Sequence, residues 1–416
     1  MKQSEYFIKT SKEISAEETS DNAQLLLRGS FVDKLMAGVY SYLPLGVRVL
    51  RKIKNVVREE MEAVGGQEIL MPALQPRQLW EETGRWEGMK EVLYRFAGRG
   101  GNEFCLAPTH EEAIVDIVRK RVQSYKDLPF ALFQIQDKFR NEPRAKSGLL
   151  RGREFSMKDL YSFHTDKDDL NKYYELVTQA YLRIYKRLGM EAILVEASGG
   201  SFSKEYSHEF QVSTPNGEDS IFHCSCGWAQ NKEIAKVKKG DQCPSCKEGT
   251  IEIVKGIEVG NIFKLGIKYS KDMNLSFVDQ TGKKNFVEMG CYGLGISRVM
   301  GAIVEVSHDN NGIIWPKEAT PWQVHLLSLG NNPQVRKLGE EVYNLLTKQG
   351  IEVLYDDRDE SPGLKLKEAD LIGIALRLIV SEQNNDLIEF KPRASAEVKK
   401  VASKDLVKLI KEFYNV

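Results

Sequence analysis

Residues 131–163 read ALFQIQDKFRNEPRAKSGLLRGREFSMKDLYSF, and this stretch decides the fold. Its residues alternate in character along two arms, with the period of two that is typical of β-strands. On the first arm Phe133, Ile135 and Phe139 fall on one face, and the other face is polar. Residues 143–148 form a polar loop between the arms. The stretch therefore predicts a long antiparallel hairpin.

The hairpin also concentrates positive charge. One face of the return arm carries Arg151, Arg153, Phe155, Met157 and Asp159. Residues 138–158 include seven basic and two acidic residues, whereas the whole chain balances 59 Lys and Arg against 59 Asp and Glu. This balance excludes a protein that binds nucleic acid over its entire surface. It predicts a local positive strip on an otherwise neutral protein.

Helical and strand patterns extend outward from the hairpin. Apolar residues at helical spacing predict a helix from residue 47 to Gly65, followed by a strand at 68–71. A helix and then a strand are predicted across 167–195, and short strands across 251–290. The glycines of 290–295 lead into a helix whose core face is Ile296, Val299, Met300 and Ile303.

The last hundred residues follow another pattern. Strands are predicted at 324–329, 351–355 and 376–380, and helices at 334–348 and 364–371. Alternation of this kind predicts a small α/β domain with a largely parallel sheet, beginning near residue 319.

Composition limits the function classes. The 416 residues are 42% hydrophobic and 28% charged, which is typical of a globular protein of two or three domains. Apolar runs stay well below the ~20 residues of a membrane span. The first residues carry charge without an apolar core, so they do not resemble a secretory signal. We expect a cytoplasmic protein that binds neither membrane nor DNA.

Four of the six cysteines cluster between residues 224 and 246. Cys243-x-x-Cys246 has the usual spacing of a zinc knuckle, whereas Cys224-x-Cys226 is tighter. Too few cysteines are present for a disulfide scaffold. Two interpretations stay open, which are a structural zinc site formed by these four cysteines and four reduced free thiols in a loop.

Three basic residues and an aromatic ring suggest a phosphate and base clamp. Arg140 and Glu142 end one hairpin strand, and Arg151 and Phe155 lie on the return arm. A planar guanidinium can hold a phosphate, and an aromatic ring can stack on a base. The pattern Gly290-x-x-Gly293-x-Gly295-x-x-Arg298 lacks the order of a dinucleotide fingerprint, so a plain packing turn is an equal alternative for its glycines.

Several motifs, taken in order, resemble a known family. The helix and strand that end at Pro72, the Arg140-x-Glu142 hairpin and the glycine-rich turn before Arg298 resemble the three signature motifs of class II aminoacyl-tRNA synthetases. Five further segments are similar to bacterial-type prolyl-tRNA synthetases over nearly the whole chain: residues 40–46 (YSYLPLG), 70–76 (LMPALQP), 108–112 (PTHEE), 157–164 (MKDLYSFH) and 356–358 (DDR).

The resemblance implies a fold and a reaction. The fold is α+β, an antiparallel class II catalytic sheet flanked by helices and followed by an α/β anticodon-binding domain. The implied domains are a catalytic domain at 1–222 and 251–318, a cysteine-rich module at 223–250, and an anticodon-binding domain at 319–416. The implied reaction uses ATP and Mg²⁺ to form prolyl-adenylate and then charges tRNA(Pro). A homodimer is also implied.

The resemblance also assigns residues. Arg140, Glu142 and Arg298 are implied catalytic residues, and Arg151 and Phe155 complete the ATP site. The implied proline-binding residues are Thr109, Glu111, Arg140, Met157, Tyr161, Phe163 and His164. The candidates for anticodon binding are Arg358, Lys365, Lys367 and Arg377. From Thr320 onward 14 basic and 15 acidic residues occur, so RNA would be read locally rather than by a basic surface.

Three departures from the family pattern matter. The interval from His164 to Gly290 is too short for the inserted editing domain of many relatives, so we expect no editing of alanyl-tRNA in cis. Residues 199–210 are stretched relative to the family, and Asn261 stands where His is frequent. Two rival functions are a relative that charges threonine or serine and a non-catalytic RNA-binding paralogue. The Thr109-x-Glu111 loop and the complete ATP clamp, respectively, argue against them.

Overall fold

The computed structural model describes residues 1–13, 18–200, 202–203, 205–330 and 332–415. The chain separates into two compact units. The first contains Met1–Leu35, Tyr40–Ile53 and Ile303–Val416, and the second contains Met36–Val39 and Lys54–Ala302. No helix in the described part of the chain is long and apolar enough to cross a bilayer.

The helices and strands alternate irregularly along the chain. The helices are α1 Asp21–Arg28, α2 Pro44–Ala63, α3 Arg77–Glu81, α4 Arg85–Gly88, α5 Glu111–Val118, α6 Lys167–Arg187, α7 Lys268–Asp272, α8 Ile296–Val306, α9 Pro333–Lys348, α10 Pro362–Ile372 and α11 Leu406–Tyr414. The strands are β1 Val32–Met36, β2 Val39–Tyr42, β3 Gly66–Glu68, β4 Leu74–Pro76, β5 Tyr94–Ala97, β6 Glu103–Leu106, β7 Phe130–Phe139, β8 Glu154–His164, β9 Ala192–Ala197, β10 Ser207–Ser213, β11 Asp219–His223, β12 Ala229–Asn231, β13 Glu252–Gly266, β14 Ser276–Val278, β15 Lys284–Phe286, β16 Glu288–Gly295, β17 His308–Asp309, β18 Gly312–Ile313, β19 Val324–Leu329, β20 Val353–Asp356, β21 Leu376–Ser381, β22 Ile388–Pro392 and β23 Lys399–Val401.

A nine-stranded sheet forms the body of the second unit. Its order is β10-β9-β12-β11-β13-β16-β8-β7-β3, and β10 also pairs with β13. Pairing of β10 with both β9 and β13 closes five of the strands into a ring. The predicted hairpin is present as β7 and β8, paired from Phe130 opposite Phe163 to Phe139 opposite Glu154. The expected antiparallel sheet is present, with two parallel pairings, of β3 with β7 and of β9 with β12.

The hairpin is buried more deeply than its sequence suggests. Gln134 and Lys138, which the alternation places on the polar face of the first arm, are fully buried, and so is Lys158 on the second arm. The predicted positive strip is therefore wrong for Lys138 and Lys158, which lie inside the protein. Alternation assigns a residue to a face of the strand, but other elements decide whether that face meets solvent.

Two predicted strands have other limits. The strand predicted at 68–71 is Gly66–Glu68, and Met71 instead donates its backbone N–H to the Gln134 side chain at 2.9 Å. The short strands predicted over 251–290 begin with one 15-residue strand, β13. Its glycines allow neighbouring side chains to pack closely against the strand. A Cβ added at Gly256 would lie 2.4 Å from Ile221, and one added at Gly260 would lie 2.4 Å from Tyr185.

The C-terminal part of the first unit contains a five-stranded sheet in the order β20-β19-β21-β22-β23. Strand β19 is parallel to β20 and β21, whereas β22 and β23 are antiparallel additions. The predicted alternation of strand and helix is present, but the sheet is mixed rather than largely parallel. Helix α10 begins after Ser361 and is capped by Gly373, whose φ of 74° suits a residue without Cβ. The domain limits predicted from the sequence stay predictions.

Candidate active site

One cavity of about 440 Å³ lies in the second unit. Strands β8, β13 and β16, the loop between β7 and β8, and the start of α5 supply most of its walls. Its lining residues include Thr109, Glu111, Arg140, Glu142, Arg151, Phe155, Met157, Asp159, Phe202, Glu258, Asn261, Cys291 and Arg298. Eight of the residues predicted from the sequence for ATP or proline therefore meet at one cavity.

Glu111 is the most deeply placed anion of the cavity. Thr109 donates its hydroxyl to this carboxylate at 2.7 Å, and Arg85 donates from Nη1 at 3.0 Å. The Tyr161 hydroxyl and the Cys291 sulfur lie 3.3 and 3.4 Å from Glu111 Oε1. Burial acts to raise the pKa of Glu111, but the charge of Arg85 and the bond from Thr109 outweigh it and lower that pKa. Glu111 is therefore a carboxylate near neutral pH.

Arg85 supports Glu111 and its neighbour together. Its Nη1 also lies 3.0 Å from both oxygens of Glu112, and the three side chains are almost completely buried. Burial and the charge of Glu111 raise the pKa of Glu112 although Arg85 opposes them. The two carboxyl groups thus differ, because the pKa of Glu111 is lowered whereas the pKa of Glu112 is raised.

A second buried network lies beneath the cavity. Lys138 Nζ is 2.7 Å from Asp159 and 2.5 Å from His110 Nδ1, and the other ring nitrogen of His110 is 3.0 Å from the carbonyl oxygen of Pro72. Burial and the Lys138 charge lower the pKa of His110 to about 4, so its ring is neutral. The neutral ring accepts from Lys138 and donates to Pro72. This arrangement fixes the segment that carries Thr109 and Glu111.

Arg140 and Arg298 both line the cavity, and within the described residues Arg298 pairs with a carboxylate whereas Arg140 does not. Arg140 lies 5.2 Å from the Phe155 ring and makes long bonds of 3.4 Å to the carbonyl oxygen of Pro108. Arg298 donates to Leu150 O at 2.8 Å and to Glu258 at 3.1 Å. Burial, followed by repulsion from Arg298, lowers the pKa of Arg140. An anion bound between them would relieve this repulsion.

Carboxylates near Arg151 also line the cavity. Arg151 lies 3.0 Å from Glu142 and 3.2 Å from Glu218. Burial acts against ionisation of Glu142, but the bond from Arg151 outweighs it and lowers its pKa. The cavity therefore offers anionic and cationic subsites side by side, which suits a ligand that carries both charges.

Asn261 joins the cavity to a further carboxyl group. Its Nδ2 donates to Glu209 at 3.4 Å, while its Oδ1 is buried and unpaired within the described residues. Burial, together with the nearby Glu258, raises the pKa of Glu209 to about 7. An amide at position 261 thus gives the cavity an acceptor for an incoming donor.

The predicted proline pocket is brought together in part. Met157 lines the cavity, and the Tyr161 hydroxyl reaches Glu111 and Asp159. Phe163 instead stacks on Phe130 at 4.9 Å inside the apolar core, and His164 bonds Asp169 at 2.6 Å. Position 164 faces the opposite side of β8 from positions 157 and 161. Position 163 shares their face but lies two residues beyond position 161 along the strand. The structure does not bring Phe163 or His164 to the cavity.

The four anticodon candidates lie in different environments. Lys367 is exposed, whereas Lys365 is buried and donates to the carbonyl oxygens of Ser328 and Asp356 at 2.9 and 3.2 Å. Arg358 bonds Asp356 at 2.7 Å, and Arg377 bonds Asp370 at 2.7 Å. The RNA contact expected of Lys365 is wrong, because its ammonium group is buried and bonds these two carbonyl oxygens inside the domain.

The structure also gathers the four cysteines, whose sulfur atoms all lie within 4.8 Å of one another. Of the stretched segment 199–210, Ser201 and Lys204 lie outside the described residues, and Phe202 lines the cavity.

Sequence reasoning missed several residues of the site. Arg85, Lys138 and Glu258 were not singled out as partners, although Arg85 and Glu258 bond the predicted residues Glu111 and Arg298, and Lys138 pairs with Asp159 at the cavity. The adjacent carboxylates Glu111 and Glu112 are a signal, because two buried anions require a cation nearby. The sequence does not say which of its arginines supplies that cation.

Comparison with known proteins identifies relatives of both parts. Residues 94–307 match the tRNA synthetase class II core domain (G, H, P, S and T), and residues 323–413 match the anticodon binding domain. A proline–tRNA ligase of Geotalea daltonii is 36% identical over 100% of this chain and 99% of the relative. One of Halothermothrix orenii is 35% identical over 99% of each chain. The first alignment spans 566 positions against 416 residues here, which is consistent with an inserted domain that this chain lacks.

Solved structures share the fold. Prolyl-tRNA synthetase from Cryptosporidium parvum, complexed with halofuginone and AMPPNP, has a TM-score of 0.78 and 19% identity, covering 95% of this chain and 77% of that one. The enzyme from Giardia lamblia in complex with prolyl-adenylate gives 0.78 and 19%, covering 95% and 78%. At this identity the likeness concerns the fold.

Proposed function

Because this chain belongs to the proline–tRNA ligase family of class II aminoacyl-tRNA synthetases, we propose that it activates proline with ATP and transfers it to tRNA(Pro). The observation that carries the proposal is the juxtaposition, in one cavity, of an anionic subsite at Glu111 and a cationic subsite at Arg140 and Arg298. An amino acid brings an ammonium group and a carboxylate. ATP brings the phosphate that the carboxylate attacks.

In the proposed first step, Thr109 and Glu111 hold the proline ring nitrogen. A secondary ammonium has two N–H donors, and the ionised Glu111 supplies an acceptor and the opposite charge. Met157 and the buried Tyr161 ring bound the apolar ring of the substrate. Arg140 then orients the carboxylate towards the α-phosphorus, and one carboxylate oxygen displaces pyrophosphate.

ATP is proposed to bind across the mouth of the same cavity. The ring of Phe155 stacks on adenine from one side and Arg298 lies on the other, while Arg151 reaches the terminal phosphates. Arg140 neutralises charge that develops at the α-phosphate, and this is stabilisation by prepositioned groups rather than covalent catalysis. Glu142 and Glu258 line the cavity and would supply hard oxygen donors of the kind that Mg²⁺ prefers. When bound, it would neutralise phosphate charge.

The second step needs the tRNA. The terminal ribose hydroxyl takes the prolyl group from the adenylate, and the C-terminal domain reads the anticodon. The exposed Lys367 is the leading candidate for an RNA contact, and Arg358 and Arg377 would have to leave their carboxylate partners. A cytoplasmic location belongs to this proposal.

Two further properties are proposed from the family. The chain does not hydrolyse alanyl-tRNA itself, and purified protein that does so would contradict this. It forms a two-fold dimer, which is supported by exposed apolar side chains at Leu70 (75% exposed), Leu74 and Phe96 of the second unit. Light scattering that gives a monomer at micromolar concentration would contradict the dimer.

Proline-dependent exchange between ATP and pyrophosphate, without tRNA, tests the first step. We expect exchange with proline and little with alanine, threonine or cysteine at equal concentration. Preference for threonine would indicate a different synthetase, and no exchange from a folded protein with Mg²⁺ would favour a non-catalytic RNA-binding protein. Arg140→Lys is the matched variant, because it keeps the charge and removes the planar fork.

A further inference from the structure

Residues 222–251, here called the cysteine module, bring four thiols to one point. Cys224 and Cys246 have their sulfur atoms 3.9 Å apart, and Cys226 and Cys243 have theirs 3.7 Å apart. A single ion with four metal–sulfur bonds of ~2.3 Å in a tetrahedron places its sulfur atoms about 3.8 Å apart. A disulfide requires about 2.05 Å, so these pairs are not disulfides. The spacing matches the edges of a mononuclear site.

Cys224 and Cys226 lie in the tight turn between β11 and β12. These strands pair antiparallel from Ile221 opposite Asn231 to His223 opposite Ala229. The turn closes with Cys224 N–H donating to Trp228 O at 2.8 Å and Gly227 N–H donating to Cys224 O at 3.0 Å. Gly227 has a φ of +96°, which a residue with Cβ rarely adopts. The Cys224-x-Cys226 spacing, which is tighter than that of a usual zinc knuckle, is therefore part of a hydrogen-bonded turn.

Cys243 and Cys246 lie in a separate turn. Cys243 N–H donates to Gly249 O at 2.8 Å, and Lys247 N–H donates to Cys243 O at 3.1 Å. The Gly249 N–H points to the Cys246 sulfur at 3.3 Å, which is a donor suited to a thiolate. A Cβ on Gly249 would come within 2.4 Å of the Cys224 sulfur. The two turns thus pack closely at the thiols, and a side chain at position 249 would clash with the Cys224 sulfur.

The apolar core of the module is too small to explain this order. Beneath the thiols it comprises Cys224, Cys243 and Ile251, with Phe222, Trp228 and Val237 partly buried against them. Segments with so few apolar contacts are generally held by a disulfide or a metal.

We infer that Cys224, Cys226, Cys243 and Cys246 bind one structural Zn²⁺ ion and that this ion holds the cysteine module folded. Binding replaces four S–H bonds with four zinc–sulfur bonds and releases four protons, which leaves a complex of net charge −2. The Gly249 N–H and the exposed lysines of the module, among them Lys238 and Lys247, moderate this charge. An iron–sulfur cluster is larger than one ion and would hold its thiolates further apart.

The site is separate from the candidate active site. The four cysteines do not line the cavity, whereas Asp219 and Gly256, on the strands β11 and β13 that flank the module, do. Loss of the ion should therefore unfold the module locally and leave proline activation within about threefold.

Metal analysis of the full chain, purified without chelator, is the first experiment. We expect one zinc per chain, and less than a tenth in Cys226→Ser and Cys243→Ser. Ser245→Ala, which alters the same turn without removing a thiol, should keep its zinc. Less than a tenth of an atom of zinc in the wild-type chain, with four thiols reactive towards a disulfide reagent, would overturn the inference. Iron with visible absorption of a cluster would overturn it as well.

Two measurements remain decisive if the serine variants fail to fold. Wild-type protein reconstituted with Co²⁺ should show the intense d–d absorption of a tetrahedral sulfur site, and the weak bands of an octahedral site would refute it. Removal of zinc by a chelator should speed amide hydrogen exchange in residues 222–251 at least tenfold and leave β19 unchanged. Uniform exchange would show that the ion does not hold the module. None of these readouts depends on the proposed aminoacylation.

Discussion

Replacement of Arg85 by Met removes the one cation seen to bond both Glu111 and Glu112 among the described residues. At 3.0 Å and an effective dielectric constant of ~20, each ion pair is worth about 5 kcal/mol before desolvation. Truncating one partner of a buried pair generally costs about 3–5 kcal/mol of folding free energy. We therefore expect Arg85→Met to fold with clearly lower stability, and Arg85→Met/Glu112→Gln to recover part of the loss because one buried charge is gone.

The same change should weaken proline binding through Glu111. Without Arg85, burial raises the pKa of Glu111, so the carboxylate that receives the substrate ammonium becomes protonated as the pH falls. Loss of one charge-assisted hydrogen bond is worth about 1.5–3 kcal/mol, which corresponds to about a 10- to 150-fold rise in KM for proline. KM for ATP should change little. The rise should be larger at pH 6 than at pH 8, whereas the wild-type KM should be nearly flat in this range.

Pyrophosphate exchange with varied proline, measured from pH 6 to 8, provides the assay, and tryptophan fluorescence in denaturant reports stability because Trp80 lies 5.2 Å from the Arg85 guanidinium. Arg95→Met is the matched control: its guanidinium lies 4.4 Å from Trp86, and it pairs with the exposed Glu87. The reasoning would be refuted if Arg85→Met kept KM for proline within twofold of wild type at both pH values.

Three further predictions concern single side chains. Arg140→Lys should lower kcat/KM in pyrophosphate exchange at least 100-fold, and a loss under fivefold would remove Arg140 from the proposed mechanism. Burial lowers the pKa of Lys158 to about 7. Between about pH 7 and 10.5 the unfolded chain therefore binds one proton more than the folded chain, so wild-type stability rises with pH there. Lys158→Met should flatten this slope in denaturant titrations, and equal slopes would contradict the burial argument. Lys367→Ala should raise KM for tRNA about threefold and leave pyrophosphate exchange unchanged, whereas Lys365→Ala should destabilise the five-stranded sheet; the reverse pattern in charging and melting assays would exchange their roles.

Much of the fold and part of the candidate site could be predicted from local pattern. The alternation around Phe133 and the helical spacing after Gly295 arise from backbone geometry, so they are visible in any short window of sequence. Thr109, Glu111 and Arg140 were found because they belong to short motifs in a fixed order. Phe163 and His164 were misplaced because membership of a motif does not say which side chains of a strand reach a cavity.

By itself the sequence determined the strands and helices, the order of the motifs and the chemical character of the site. Tertiary structure alone decided which charges meet. Arg85 reaches Glu111 across 26 residues, and Lys138 faces inward to Asp159 although its strand pattern marks it as polar. The physical reason is that burial and pairing depend on elements distant in the chain, and a charged side chain is stable inside a protein where those elements supply its partner.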